Sequence, residues 1–239
     1  MIWCLHGTLG QAGDWDAFSQ ALAKKGKICR GVELWRFLEC EGLSLVDWAA
    51  AFNAEVKAAG EEENVMVAYS MGGRLGLHAL LESPELWNRA VIVSAHPGLK
   101  EESARLERMA SDAAWAGQAL TSDWQQFLQK WDAQPVLGER AEQKSDPRIK
   151  LVNRRRAIAR SFMEWSLGKQ ENTAVRFGEL TCPLLWVTGE RDEKFTALAA
   201  ETVSDLPKGR HEVLPAGHRV PWEKPEEFVN LVDSFLLEE

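Results

Sequence analysis

Short apolar runs alternate along this chain with stretches whose apolar residues recur every three or four positions, a pattern that predicts strands separated by helices. The runs Ile2–Leu5, Ile28–Leu34, Val65–Tyr69, Ala90–Val93, Leu184–Val187 and Glu212–Leu214 read as strands. Helices are expected near Trp15–Lys24, Ser44–Ala59, Met71–Leu81, Phe195–Leu206 and Pro225–Leu237. Ser44 followed by Asp47 resembles a capping box with Asp in place of Glu, and Pro225 suits a first helical turn. Strands and helices in this alternation are βα units, which build an α/β fold with a mostly parallel sheet flanked by helices.

From about Leu99 to Gly178 the strand pattern disappears. Helical patterns follow one another there, with turn signals at Gln134-Pro135, Gly138 and Asp146-Pro147. The α/β pattern resumes at Cys182-Pro183 as if one sheet had been interrupted. The expected organisation is therefore one core, residues 1–98 and 179–239, with a helical cap insertion over 99–178. A separate helical domain is the alternative. A chain of 239 residues can bury one good core, and no internal repeat or low-complexity tract is visible.

Composition narrows the function classes. Apolar residues at 45% and charged residues at 27% are ordinary globular proportions, which excludes a disordered or fibrous chain. No stretch approaches the roughly 18 apolar residues of a membrane span, and the N-terminus lacks a basic leader, so a cytoplasmic protein with no membrane partner is expected. Cys4, Cys29, Cys40 and Cys182 form no C-x-x-C pair, and no metal-ligand cluster or phosphate loop is present; neither metal nor cofactor is expected. A net charge of -8 disfavours nucleic acid as a partner. Within it, Glu139–Arg160 holds eight Lys/Arg against three Asp/Glu, a local field that favours anions.

The chemistry centres on Ala68-Tyr69-Ser70-Met71-Gly72-Gly73, which leaves the strand Val65–Tyr69 and enters a helix. A serine there sits on a sharp, strained turn that exposes its hydroxyl, and small neighbours let strand and helix approach. Ala68 stands where the motif usually has its first glycine. Asp192 follows the strand Leu184–Val187, and His218 follows Glu212–Leu214. A serine hydroxyl is too weak an acid to act at neutral pH unaided, whereas imidazole titrates near pH ~6.5 and accepts its proton. Asp192 is expected to fix the imidazole tautomer and stabilise the imidazolium. The order Ser70, Asp192, His218 is that of the α/β-hydrolase fold. The loop His6-Gly7-Thr8-Leu9-Gly10 follows the first strand, so the backbone N–H groups of Thr8 and Met71 are the expected oxyanion hole, with His6 shaping the loop.

Motifs spread over nearly the whole chain carry a closer resemblance. They are Leu5-His6-Gly7 with Gly13-Asp14-Trp15, Tyr69-Ser70-Met71-Gly72-Gly73-Arg74, His96-Pro97-Gly98-Leu99, Trp131-Asp132-Ala133-Gln134-Pro135-Val136, Ser166-Leu167-Gly168, and Gly189-Glu190-Arg191-Asp192-Glu193-Lys194-Phe195. On these the chain resembles the 2-succinyl-6-hydroxy-2,4-cyclohexadiene-1-carboxylate (SHCHC) synthases of menaquinone biosynthesis. The resemblance implies a lyase that eliminates pyruvate from 2-succinyl-5-enolpyruvyl-6-hydroxy-3-cyclohexene-1-carboxylate, a small tricarboxylate. It further implies substrate contacts from Tyr69, Arg74, Arg108 and Trp131, and from one of Arg154, Arg155 and Arg156. Ile149, Val152, Ala159, Phe162 and Met163 define an apolar face, and at ~100° per residue Arg155 falls on it, which selects Arg155.

Two other readings use the same residues. A carboxylesterase or carbon–carbon bond hydrolase of this fold needs Ser70 as a covalent nucleophile and leaves the arginines incidental. A non-catalytic binding protein keeps the pocket but has no use for Ser70, Asp192 and His218 together. Oligomeric state is not legible in the sequence.

Overall fold

A computed structural model describes residues 1–40, 42–138 and 146–238. Six strands form one sheet: β1 (Ile2–Leu5), β2 (Cys29–Val32), β3 (Val65–Tyr69), β4 (Arg89–Val93), β5 (Leu184–Gly189) and β6 (Gly209–Leu214). Every pairing is parallel and the order is β2-β1-β3-β4-β5-β6. Side chains along a strand point alternately to the two faces, so both faces must be apolar for the strands to be buried. Trp3, Leu5, Met66, Ala68, Ile92 and Trp186 enter one core, whereas Ile2, Cys4, Val67, Val91, Leu185 and Val187 enter the other.

Helices α1 (Asp16–Ala23), α2 (Leu45–Ala59) and α3 (Met71–Glu82) connect the first four strands. The apolar residues of α2 and α3 join the first core, and those of α1 join the second. Between β4 and β5 no strand forms among the described residues. That segment carries α4 (Glu102–Thr121), α5 (Trp124–Asp132) and α6 (Arg155–Glu164), with 3₁₀ turns at Pro135–Leu137, Pro147–Arg154 and Thr173–Glu179. Trp124, Phe127, Ile158 and Phe162 from it merge with the first core. The chain then closes with α7 (Glu193–Val203), α8 (Val220–Glu223) and α9 (Pro225–Leu237).

Several boundaries differ from the sequence expectation for local reasons. β2 stops at Val32 because the Leu34 N–H donates to the His6 ring (3.1 Å) and the Trp35 N–H to Glu33 (3.4 Å), which diverts the ladder into a 3₁₀ turn. β6 begins at Gly209, earlier than its apolar residues signal, because an edge strand tolerates Arg210 and His211. α7 starts directly after Asp192, two residues before Phe195, and ends at Val203. Ser44 caps α2 by accepting the Asp47 N–H (3.1 Å), but Asp47 takes the Ser44 hydroxyl (2.6 Å) instead of completing the reciprocal box.

The chain reverses direction across the sheet at β1, which has β2 on one side and β3 on the other. In open α/β sheets the crevice at the carboxyl ends of such strands is the natural ligand site. Here it lies between the loop after β1 and the start of α3. There α3 packs so closely on β1 that a Cβ at Gly72 would lie 2.4 Å from the His6 carbonyl oxygen. Gly72→Ala should lower stability by about 1–3 kcal/mol through overpacking. Gly117→Ala, in the exposed interior of α4 with open space around it, should instead add about 0.5–1 kcal/mol. Urea denaturation of both variants checks the contrast, and equal effects would refute it.

Candidate active site

Ser70 joins β3 to α3 at φ 53° and ψ −113°, a left-handed backbone that side chains rarely adopt. Its N–H donates to Val93 O (2.8 Å), and its carbonyl accepts the Arg74 N–H (3.0 Å), which starts the helix. Ala68, at the usual glycine position of the motif, is accommodated by Gly76 across the helix, where a Cβ would meet the Ala68 methyl at 3.1 Å. The Ser70 hydroxyl lies 3.2 Å from His218 Nε2, and His218 Nδ1 lies 2.6 Å from Asp192 Oδ2. Asp192 and His218 are both buried. Asp192 occupies the N-cap position of α7 but does not cap it; its carboxylate turns to His218 instead.

The His218 ring sits between Tyr69 (centroids 5.5 Å apart) and Phe195 (4.7 Å). Its loop is clipped by Glu223, which accepts the N–H groups of Gly217 (2.7 Å) and Arg219 (3.2 Å). Glu223 and Phe195 therefore fix the imidazole, and sequence motifs alone did not single out either for that task. Chemically, this geometry lets His218 accept a proton from Ser70 while Asp192 stabilises the charge that forms.

The loop after β1 is a tight turn in which the Gly10 N–H donates to Gly7 O (3.0 Å), leaving the Thr8 N–H outside the turn's own hydrogen bond. Met71 is the first residue of α3, so its N–H has no intrahelical acceptor. Thr8 and Met71 both line the cavity at Ser70. His6 is fully buried beneath them. The Leu34 N–H donates to its Nε2, which leaves Nδ1 to donate to Gly7 O (2.9 Å), and the ring packs on Trp35. This contact network is that of a residue shaping the loop.

Two cavities meet at Ser70, with Thr8, Trp131 and Leu137 also common to both. The larger, about 620 Å³, contains Tyr69 and the guanidinium groups of Arg148, Arg191 and Arg219. Those cations are already paired: Arg148 with Asp132 and Asp146, Arg219 with Asp132 (2.8 Å), and Arg191 with Glu223 (2.6 Å). The smaller, about 210 Å³, contains Arg74, Arg108 and Lys194 against one carboxylate, Asp112. The buried Asp112 holds Arg108 (2.9 Å) and accepts the Ser166 hydroxyl (2.7 Å). Arg74 is buried and, among the described residues, donates only to neutral oxygens, Gln170 Oε1 (3.1 Å) and Trp165 O (2.7 Å). Burial lowers its pKa to about 9, with neighbouring Arg108 contributing, so the site disfavours an unaccompanied charge there. Among the described residues, the smaller cavity is the one of the two with uncompensated positive charge.

Arg155 requires a correction, because it lines neither cavity. Its guanidinium donates to Ala119 O (2.8 Å) and Ser122 O (2.7 Å), the last carbonyls of α4, and lies over Trp124. The helical phase failed because residues 147–154 form a 3₁₀ helix, which advances ~120° per residue, so the face does not carry into α6. Ile149 and Met163, assigned to that face, are exposed. Arg154 pairs with Glu39 and Arg156 is exposed. Of the basic stretch 139–160, residues 139–145 lie outside the described residues. Arg148, Arg191 and Arg219 were not anticipated as cavity residues, nor Gln170 as the partner of Arg74; their placement depends on contacts between distant segments.

A family model described as the alpha/beta hydrolase family matches residues 4–231, and the chain belongs to that family. Among named relatives, the SHCHC synthase of Pectobacterium atrosepticum is 28% identical over 242 residues, covering 98% of this chain and 92% of its own. The Escherichia coli SHCHC synthase is 33% identical over 165 residues, 67% of this chain and 63% of its own, so that match spans less than two thirds of the relative. These relatives bear out the resemblance read from the motifs. The structure of MenH from S. aureus superposes with a TM-score of 0.87 at 21% identity, covering 98% of this chain and 92% of that one. An esterase from Exiguobacterium antarcticum superposes at 0.78 with 16% identity, covering 99% and 91%, so the fold is shared across chemistries. No helix among the described residues is long and apolar enough to cross a membrane.

The buried histidines give the fold a pH dependence. His78 and His96 each have a pKa lowered to about 4, first by burial and then by nearby cations. An unfolded histidine titrates near ~6.5, so the unfolded chain binds more protons in between. Stability is therefore full above ~6.5 and lost as pH falls toward 4, by on the order of 2 kcal/mol per histidine at pH ~5. Denaturant titrations at pH ~7 and ~5 should show this fall, and His78→Gln should remove about half of it; a stability independent of pH in the wild type would contradict the assignment.

Proposed function

We propose that this enzyme is a carbon–oxygen lyase that eliminates pyruvate from 2-succinyl-5-enolpyruvyl-6-hydroxy-3-cyclohexene-1-carboxylate, giving SHCHC. The observation that carries this reading is Arg74: a buried guanidinium with no carboxylate partner among the described residues, one helical turn from Ser70, on the wall of a cavity it shares with Arg108 and Lys194. A buried charge is very unfavourable unless something pairs it, and a substrate carboxylate supplies what the protein leaves out. A neutral ester gives no reason for such a wall. The named relatives support the same activity.

In this mechanism His218 takes the Ser70 proton, and the Ser70 oxygen removes the proton α to the succinyl ketone. The developing enolate oxygen is held by the N–H groups of Thr8 and Met71, at the positive end of α3. Its collapse through the ring alkene breaks the carbon–oxygen bond to the enolpyruvyl group, which takes up a proton and leaves as pyruvate. No acyl-enzyme forms. Segment 99–178 acts as a cap, contributing Arg108 and Trp131 to the substrate and excluding water. The competing reading, a carboxylesterase, draws on the same hydrogen-bonded Ser70–His218–Asp192 geometry, which serves covalent attack equally well.

Replacing Ser70, His218 or Asp192 by Ala should each cut pyruvate release from the purified intermediate by orders of magnitude, and pairs of changes should cost little more, because the three act as a unit. Near-additive losses would refute that unit, and an active Ser70→Ala protein would refute the mechanism. Arg74→Ala and Arg108→Ala should each lose about 1.5–3 kcal/mol of transition-state stabilisation, or about 10- to 150-fold in kcat/KM, while leaving p-nitrophenyl acetate hydrolysis unchanged. Arg155→Ala should lower thermal stability and spare kcat/KM. Efficient ester hydrolysis with no pyruvate release would favour the esterase.

A further inference from the structure

His96 follows β4 and lines the smaller cavity together with Ser70, Arg74, Arg108 and Lys194. Its Nδ1 lies 3.0 Å from the Gly98 backbone nitrogen. A backbone N–H can only donate, so Nδ1 is the acceptor and the proton of the neutral ring resides on Nε2. Nε2 has no hydrogen-bond partner among the described residues, and it is not among the polar atoms sealed from solvent. Because the ring is otherwise buried and borders this cavity, Nε2–H opens into it.

The ring is also held firmly. The His96 carbonyl accepts from Gln170 Nε2 (3.0 Å), and Gln170 Oε1 accepts from Arg74, so one buried glutamine sets both residues. Pro97 O accepts the Thr173 hydroxyl (2.6 Å) and N–H (2.8 Å). Gly98, at φ 135°, approaches so closely that a Cβ would lie 2.4 Å from Glu171 O. Phe195 packs against both His96 (6.4 Å) and His218 (4.7 Å), so the two imidazoles flank one aromatic ring.

We infer that His96 is a substrate-binding residue, whose Nε2–H donates a neutral hydrogen bond to an oxygen of the anionic substrate beside Arg74. The inference deepens the proposed function and rests on it for the identity of the substrate. The charged and titratable groups that share the cavity with the ring are Arg74 from α3, Arg108 and Asp112 from α4, Lys194 from α7 and His218 from the loop after β6. Burial, with Lys194, Arg74 and Arg108, lowers its pKa to about 4, so the donor stays neutral at physiological pH. Around it the cavity offers charges, and His96 adds a donor with a fixed direction and no charge to desolvate.

Two substitutions separate this role from the loop contact. His96→Asn places an acceptor near Nδ1 and keeps the Gly98 contact, but has nothing at the Nε2 position. His96→Gln places its amide nitrogen near Nε2 and gives up the Gly98 contact. His96→Asn should keep the wild-type Tm and lose about 10-fold in kcat/KM for pyruvate release, while His96→Gln should lower Tm and keep most activity. Wild-type kinetics in His96→Asn, or losses in both variants that track Tm, would overturn the inference. If the wild type releases no pyruvate, the proposed reaction fails, and tryptophan-fluorescence titration with succinate decides His96: weaker binding in His96→Asn supports the donor, unchanged binding overturns it. Imidazole nitrogen spectra should show the Nε2–H tautomer, and an Nδ1–H ring would overturn the assignment.

Discussion

Ser70 holds a left-handed backbone that costs a residue with a side chain on the order of 1–2 kcal/mol, and the rest of the site depends on that turn being kept. Three features hold it. Its N–H continues the sheet to Val93, its carbonyl begins the helical ladder at Arg74, and Gly72 lets α3 lie against the His6 carbonyl. From this one turn follow the direction of the hydroxyl toward His218, the position of the Met71 N–H at the head of α3, outside the helical ladder, and the placement of Arg74 one helical turn on. Each is a geometric consequence of how sharply β3 becomes α3.

Electrostatics then distinguish two cavities that size alone would rank the other way. The larger is rich in arginine, yet every guanidinium on its wall has a carboxylate partner. The smaller keeps Arg74 on neutral acceptors, and its sole wall carboxylate among the described residues is engaged by Arg108 and Ser166. Free volume measures where a ligand fits, whereas unpaired charge measures what the protein stands to gain from one. The Asp132 bridge between Arg148 and Arg219 also ties α5 and the 3₁₀ turn at 147–154 to the residue after His218, so the larger cavity's wall doubles as a tie between the helical segment and the sheet.

The support around His218 has the same layered character. Asp192 fixes one ring nitrogen, Tyr69 and Phe195 bracket the ring, and Glu223 fastens the backbone on both sides. A 3.2 Å contact to Ser70 survives thermal motion only if such neighbours restrict the imidazole, which is how a polar pair becomes a directed one.

The sequence by itself determined the parallel sheet, because strands buried on both faces must be nearly continuous in apolar residues and their helices must repeat at 3.6. It also exposed Ser70, Asp192 and His218, since each follows a strand in a fixed order, and these three meet in hydrogen-bond contact. Strand ends were less legible: β2 stops where His6 and Glu33 divert the ladder, and β6 carries polar residues that only an edge position permits. Arg74 and Arg108 were named from the motifs and line the smaller cavity, but the partners of the arginines were decided by tertiary structure. Arg155 had the right neighbours in sequence, but a 3₁₀ turn rotated it onto the carbonyls that end α4, whereas Arg74 met Gln170 from 96 residues away. A periodic pattern encodes which side of a helix is apolar, but the partner of a long charged side chain is set by whichever distant segment the fold brings within hydrogen-bond reach.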